Sequence, residues 1–477
     1  MCCSSSFLVI DTALKKNLFT LILLVSATFP AFAQGIVPSS ALQHATVSAI
    51  ISDAETGKTI ASFEPERSVT PASITKLITT ATALELLDST FRFETVVAYD
   101  GTFVNGTIDG NLYIIGSGDP SLGSRFVNDY YFLNRWCQQL KSLGVRHITG
   151  NIVADASVYD SDPIPSKWIW EDMGNYYGAG VYGLSVFDNT LNISMRSGDV
   201  GTQPTILKVT PQIEGLELYN FAQSTKTPMD SAFVRGMAYD NRRWIVGAVP
   251  ANRGQFLLKG DIPNPPLCLT EQFAALLRHY GVTIDGTFSD HATNTLARTT
   301  LFVHKSEPLS ALVRVTNFTS NNNYAEHIFR RLAAQNATPA SNNAAIAVVK
   351  NFWQQRGISF DGISLNDGSG LSPMDAFSAD FLNQILLKMY HSPQFPAYLN
   401  SIPLAGKEGT VKNFLTQNKT AKIHAKSGSM AGVQSYAGYI VKGGKTYTFC
   451  IIVNHFDNRK QVRKEIENWI LNVVNKE

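Results

Sequence analysis

The sequence predicts an α/β (α+β) fold: a five-stranded antiparallel sheet flanked by helices, interrupted by a large β-rich insertion. Three observations carry this. Two strand signatures stand near residue 50 and three more near the C-terminus, so one sheet must close over residues far apart in the chain. Helical periodicity follows the first strand pair and returns over residues 305–400. Between them, short alternating runs are broken by Gly, Asp, Asn and Pro clusters.

Taken in order, Thr46 to Ser52 alternates apolar and polar positions as a half-buried strand does. Asp53 to Gly57 is a turn, and Lys58 to Phe63 is the returning strand. A helix follows, with Thr70 as its cap and Pro71 in its first turn, and Ile74, Leu77, Ile78, Ala81 and Leu84 keep helical spacing. At the other end, 421–426, 433–441 and 446–454 read as strands, the last two joined by Lys442-Gly-Gly-Lys445. Asp457 opens a final helix whose Val462, Ile466, Trp469, Ile470 and Val473 form one apolar stripe. The implied division is residues 1–33 as an export signal, 34–95 with 290–477 as the sheet-and-helix unit, and 96–289 as the insertion. A nested module is expected near 195–260.

A chain of 477 residues, 44% hydrophobic and 16% charged, can bury a substantial core and divides into two or three domains. Its net charge of +2, with no basic stripe or block, gives no electrostatic reason for a nucleic-acid partner. Lys15-Lys16, an apolar run from Leu18 to Phe29 and the ending Ala31-Phe-Ala33 fit a secretory signal cleaved after Ala33. The alternative, an uncleaved membrane helix, needs about 20 apolar residues, more than this run has. A start near Leu14 in place of Met1 also fits. The mature chain is then expected to be exported, periplasmic and without a stable membrane span. Cys2 and Cys3 leave with the signal, and Cys137, Cys268 and Cys450 lack metal-ligand spacing; they are expected as buried small apolar residues. No metal or other cofactor is implied.

Three short motifs carry the chemistry: Ser73-Ile-Thr-Lys76, Ser320-Asn-Asn322 and Lys426-Ser-Gly428. Singly, they read as a helix start with a solvated lysine, a polar interhelical loop and a strand end. Their order and the elements beneath them point further. Ser and Lys three apart share one helix face. A serine hydroxyl becomes a nucleophile when a base takes its proton, and burial or a second cation keeps a lysine amine neutral enough to serve. Lys426 is the candidate second cation. Backbone N–H groups at Ser73 and along the strand edge would hold an oxyanion, and that edge can pair with an extended peptide.

These motifs resemble the SxxK, SxN and K-[ST]-G signatures of penicillin-binding proteins and serine β-lactamases. The 247 positions from Ser73 to Ser320 exceed what a compact β-lactamase has room for, and 106 positions separate Ser320 from Lys426. They resemble the D-Ala-D-Ala carboxypeptidase/endopeptidase family of low-molecular-mass class C penicillin-binding proteins. Gly116-Ser-Gly-Asp-Pro120, the Tyr-Ala-Glu326 ending of the second motif and Asp367-Gly-Ser-Gly-Leu-Ser372 support it. The resemblance implies that Ser73 attacks the carbonyl between two D-alanines of a peptidoglycan stem peptide, with Lys76 as base. Ser320 would relay a proton to the departing D-alanine and Asn322 would orient the acyl chain's amide. Lys426 and Ser427 would hold the terminal carboxylate, Gly428 would let substrate approach, and the Ser429 N–H would be the second oxyanion donor. β-Lactam antibiotics would be covalent inhibitors.

Two departures stand out: Asn321 where Asp is commoner, and Ser427 where Thr is commoner. The Pro-Met-Asp375 sequence after Ser372 also departs from the pattern. Two other readings use the same motifs. A serine β-lactamase would hydrolyse the drug; Glu171 and Asn175 have a deacylating-Glu spacing but precede Ser320, and no Tyr-x-Asn triplet stands at the second motif. A non-catalytic penicillin- or peptidoglycan-binding module would keep the pocket without turnover.

Overall fold

The computed structural model describes residues 39, 42–228, 231–292, 296–336 and 338–476, so the expected export segment 1–33 lies outside the described residues. Strands β1 (Thr46–Asp53), β2 (Thr59–Phe63), β3 (Lys422–Met430), β4 (Val433–Lys442) and β5 (Lys445–Asn454) form one antiparallel sheet in the order β2-β1-β5-β4-β3. β1 lies along β5 from Thr46 opposite Asn454 to Asp53 opposite Tyr447, which is the predicted closure between the chain's two ends. Gly443 and Gly444 both take left-handed φ (58° and 80°), so β4 returns as β5 through two residues.

The alternation in β1 has a different cause from the one expected. Val47, Ala49 and Ile51 pack on one face beneath helix α7 (Arg459–Lys476), but Ser48 and Ser52 on the other face are buried too. Their hydroxyls accept from the Ala379 N–H (2.9 Å) and from Asn383 Nδ2 (3.1 Å), on helix α5 (Ala379–Tyr390). Polar residues here mark a helix docking, not solvent. In α7 the deep position is Val474 where Val473 was expected, and the Asn458 side chain accepts from Gln461 N–H (3.2 Å) at the helix start assigned to Asp457.

The second face of the sheet carries the larger core. Helices α1 (Lys76–Leu87), α2 (Leu309–Thr319), α3 (Asn322–Ala333), α4 (Asn342–Gln354) and α5 pack there, with α6 (Phe395–Ser401) alongside. α1 does not begin at Pro71. A tight 3₁₀ turn, Ala72–Thr75, precedes it, and neither Thr70 nor Pro71 supplies a side-chain cap. The reason is Ala72, whose φ of +53° turns the chain off a helical path one residue before Ser73.

Residues 94–305 gather a core of their own around Trp136, Phe132, Phe273 and Ile114. A five-stranded sheet includes Glu94–Tyr99 paired with Thr299–Lys305, and three smaller sheets are built between Thr190 and Asp261. Two full helices, Phe132–Ser142 and Pro265–His279, accompany what the sequence suggested was mainly strand. This region grips the rest through Trp168 Nε1 to Asp367 (2.8 Å), Tyr159 Oη to the His327 carbonyl (2.8 Å) and Arg330 to Asp160 (2.8 Å). Cys137, Cys268 and Cys450 are buried free thiols, as expected. Among the described residues no helix is long and apolar enough to cross a membrane.

Candidate active site

Ser73 sits in the 3₁₀ turn, one turn ahead of Lys76, and the i, i+3 spacing brings Lys76 Nζ 3.0 Å from Ser73 Oγ. The amine has two further acceptors: Asn322 Oδ1 at 2.6 Å and the Ser369 carbonyl at 2.7 Å. Lys76 is fully buried. Burial pulls its pKa from 10.5 to about 8, opposed by the carboxylates of Asp367, Glu326 and Asp375. Burial and the neighbouring Asp367 in turn push Glu326 up to about 8 and Asp375 well above the usual carboxylate range.

The 367–372 loop explains why a backbone carbonyl can face that amine. Asp367 accepts from the N–H groups of Ser369 (3.1 Å), Gly370 (2.6 Å) and Ser372 (2.7 Å), and from Trp168. Gly370 takes a φ of +73°, and a Cβ there would lie 2.1 Å from the Ala72 carbonyl oxygen. The loop is therefore moulded against the turn bearing Ser73. Met374, from the departing Pro-Met-Asp sequence, is exposed, while Asp375 accepts from the Asn366 N–H (2.7 Å) inside the same loop.

Ser320 ends α2 in a left-handed conformation (φ 55°), and its Oγ accepts from Lys426 Nζ at 2.9 Å. Asn321 caps α3: its Oδ1 accepts from Tyr324 N–H (3.1 Å), so an amide oxygen fills the acceptor role a carboxylate would. Asn322 is fixed from both ends, since its Nδ2 donates to the Tyr177 carbonyl at 2.8 Å. Lys426, fully buried, also donates to the Ser427 carbonyl (2.6 Å). Burial first, then the charge of Lys76, drives its amine well below the ordinary lysine range. Burial, one of the two causes expected for Lys76, is thus the larger one at both lysines, and the repulsion between the two ammonium groups disfavours charging both at once.

β3 is an edge strand, with its outer side available to an extended chain near Ser427 and Ser429. The Ser427 hydroxyl pairs with Thr410 Oγ1 at 2.8 Å. Gly428 has a structural reason of its own, beside the expected approach of substrate. A Cβ there would meet Ser435 Oγ at 2.4 Å, Pro71 O at 2.8 Å and Ser73 N at 2.9 Å, so the missing side chain makes room for the Ser73 turn itself. Gly428→Ala is expected to displace the Ser73 N–H and lower penicillin acylation about 100-fold, read by stopped-flow labelling.

All eight residues singled out in the sequence thus lie on one turn, one interhelical loop and one strand edge that adjoin. Ser369 was inside a string already noticed. Tyr177 and Thr410 carried no sequence signal, because one acts through its carbonyl and the other is a lone hydroxyl in a loop. Glu171 and Asn175 lie within the 94–305 region, where Asn175 bonds the Glu171 carbonyl (3.3 Å) and the Val234 N–H (3.2 Å).

A buried lysine on a serine hydroxyl, a second serine–lysine pair and an open strand edge, on a sheet closed by both chain ends, define the penicillin-recognising serine hydrolases. Residues 33–474 match the model of the D-Ala-D-Ala carboxypeptidase 3 (S13) family, and the chain belongs to that family. It is 26% identical over 462 residues to the D-alanyl-D-alanine carboxypeptidase DacB of Haemophilus influenzae, covering 93% of each chain. It is also 26% identical over 441 residues to a D-alanyl-D-alanine carboxypeptidase of Actinomadura sp., covering 88% of this chain and 79% of that one. Penicillin binding protein 4 from Haemophilus influenzae, solved in complex with a novel β-lactam, superposes with a TM-score of 0.75 at 23% identity, covering 92% of this chain and 97% of that one.

Proposed function

We propose that the chain is a serine D-Ala-D-Ala carboxypeptidase/endopeptidase acting on peptidoglycan stem peptides and acylated by β-lactams. The observation that carries this is the Lys76 amine, buried and 3.0 Å from Ser73 Oγ. Neutral Lys76 takes the Ser73 proton as Oγ attacks the D-Ala-D-Ala carbonyl. The oxyanion forms against the N–H groups of Ser73 and Ser429. Lys426 and Ser427 hold the terminal carboxylate, and Ser320 passes a proton to the departing D-alanine. Asn322, tied to Lys76 and Tyr177, orients the acyl amide, and water then releases the acyl group.

In this reading the unit 34–95 with 290–477 does the chemistry, and 96–289, with a nested module near 195–260, shapes access to it. The signal in residues 1–33 directs export to the periplasm. The test is a fluorescent penicillin followed over hours. A lasting Ser73-dependent label, with release of D-alanine from a stem pentapeptide, is expected. Rapid loss of label with drug consumption indicates a β-lactamase, and a stable label without peptide turnover a binding module.

Lys426→Ala provides a separate check. Removing the cation is expected to raise KM for a D-Ala-D-Ala peptide about tenfold or more and to slow acylation as Ser320 loses its donor. Unchanged steady-state constants would remove Lys426 from carboxylate recognition.

A further inference from the structure

One small sheet of the 94–305 region carries, on its outer face, a row of aromatic and cationic side chains that the chemistry above does not use. Strand Arg242–Val246 is the middle of that sheet, with Glu217–Asn220 on one side and Phe233–Arg235 on the other. Alternation sends Val234 and Ile245 into the core, and Arg243 is buried on Asp261 (2.6 Å). The opposite face is left with Tyr219, Trp244 and Arg235, which stand in register across the three strands. The Tyr219 and Trp244 rings are nearly parallel, with centres 5.8 Å apart. The Arg235 guanidinium lies 4.4 Å from the centre of the Trp170 ring, which ends the row. Even so, Trp170 is 66% exposed and Tyr219 40%.

An exposed cluster of rings with a polar fringe marks a binding surface. Two observations indicate what it meets. The first is continuity with the catalytic site. Trp170 begins the loop that ends at Tyr177, whose carbonyl holds Asn322. That loop is fastened to the strands beneath it, with the Gly236 N–H donating to the Met173 carbonyl (3.3 Å) and Asn175 bridged to Gly260. Gly174 takes a φ of +93°, and a Cβ there would stand 2.3 Å from the Gly236 nitrogen. The row is thus fixed beside the crevice that holds Ser73. The second is charge. Arg235 and Arg242 are matched by Glu217 and Asp240: Arg242 pairs with Asp240 (2.8 Å), and Tyr219 Oη donates to Glu217. A balanced face of this kind suits an uncharged, hydroxyl-rich chain. The weakly positive C–H faces of sugar rings rest on negative π faces, and the charged fringe meets hydroxyl groups. Nucleic acid and acidic lipid surfaces need a cationic excess instead.

We propose that the row from Tyr219 to Trp170 binds the glycan chain of peptidoglycan, holding the polymer while a stem peptide attached to it reaches Ser73. The assignment rests on the proposed carboxypeptidase/endopeptidase reading, which supplies the polymer. A single ring-on-sugar contact is weak. Joined through the polymer to the peptide at Ser73, it makes the second binding event intramolecular, which lowers KM for the polymer and leaves the chemical step unchanged.

The test is calorimetry of the full chain with peptide-free glycan strands, stripped from sacculi by an amidase. Wild type is expected to bind them. Trp170→Ala and Tyr219→Ala should each weaken binding about tenfold, and Trp170→Phe, which keeps a ring, should retain most of it. On a soluble D-Ala-D-Ala peptide all three variants should keep the wild-type kcat and KM. On intact sacculi the KM for D-alanine release should rise about tenfold in the two alanine variants. Penicillin labelling verifies that each variant is folded. No binding of the strands by wild type, or equal binding by wild type and both alanine variants, overturns the proposal and leaves the face to a protein partner. Equal losses on soluble peptide and sacculi also overturn it, because the rings would then act on the catalytic site itself. If wild type cleaves neither substrate, the carboxypeptidase reading fails instead, and the calorimetry, which needs no turnover, decides the glycan site alone.

Discussion

Ser73→Ala is expected to abolish acylation while leaving the fold intact. The two halves of that result have separate causes. Among the described residues, the hydroxyl is the only group within bonding distance of Lys76 Nζ that can both lose a proton to it and attack a carbonyl; the other partners are the Asn322 amide oxygen and the Ser369 backbone carbonyl. Losing a nucleophile of this kind costs on the order of 10⁶ in rate, so no label forms in hours. Structure survives because the turn is fixed by neighbours. Thr75 Oγ1 donates to the Ala72 carbonyl (2.9 Å), Ser435 Oγ donates to the Pro71 carbonyl (2.6 Å), and Lys76 keeps two of its three acceptors. Thermal unfolding and penicillin labelling, measured side by side, check it. A labelled Ser73→Ala chain would move the nucleophile elsewhere.

How far the sequence could be read follows from what each signal encodes. The sheet was legible because its strands carry period-two patterns and a Gly-Gly turn, and because two groups at opposite ends can satisfy each other's edges. The face assignment of Ser48 and Ser52 was not legible. A buried serine bonded to a helix N-terminus and a solvated serine look alike in a sequence. The Ser73 turn was misread for a related reason: Pro71 signals a helix start, but the left-handed Ala72 packs against Gly370 and Gly428, which reach it from a loop and a strand about 300 and 360 positions away. Motif residues came through because chemistry restricts their type. The carboxylates behind Lys76 stood in strings already noticed, but their role did not come through, since burial and mutual repulsion, not spacing, give Glu326 and Asp375 their character.

Lys76 joins local electrostatics to the pH dependence of the reaction, and Lys76→Met tests it. With a pKa of about 8, about one amine in ten is neutral at pH 7; at 10.5 the fraction would be roughly 300-fold smaller. Burial thus supplies a large part of the base's usefulness. The acylation rate should climb close to tenfold per pH unit below about 8 and level off above it, because protonation removes the base. In Lys76→Met the rate should fall by about 10²- to 10⁴-fold and the limb near pH 8 should vanish. Stability gives an independent reading with a definite sign. Between about 8 and 10.5 the unfolded chain holds the Lys76 proton and the folded chain does not, so wild-type stability gains from rising pH in that window. Below it both states are protonated and the gain is absent. Urea unfolding at pH 7.5 and pH 10 should therefore show a smaller rise in stability for Lys76→Met than for wild type. A variant that keeps the same pH dependence in both rate and stability would mean that Lys76 is neither the base nor a strained charge.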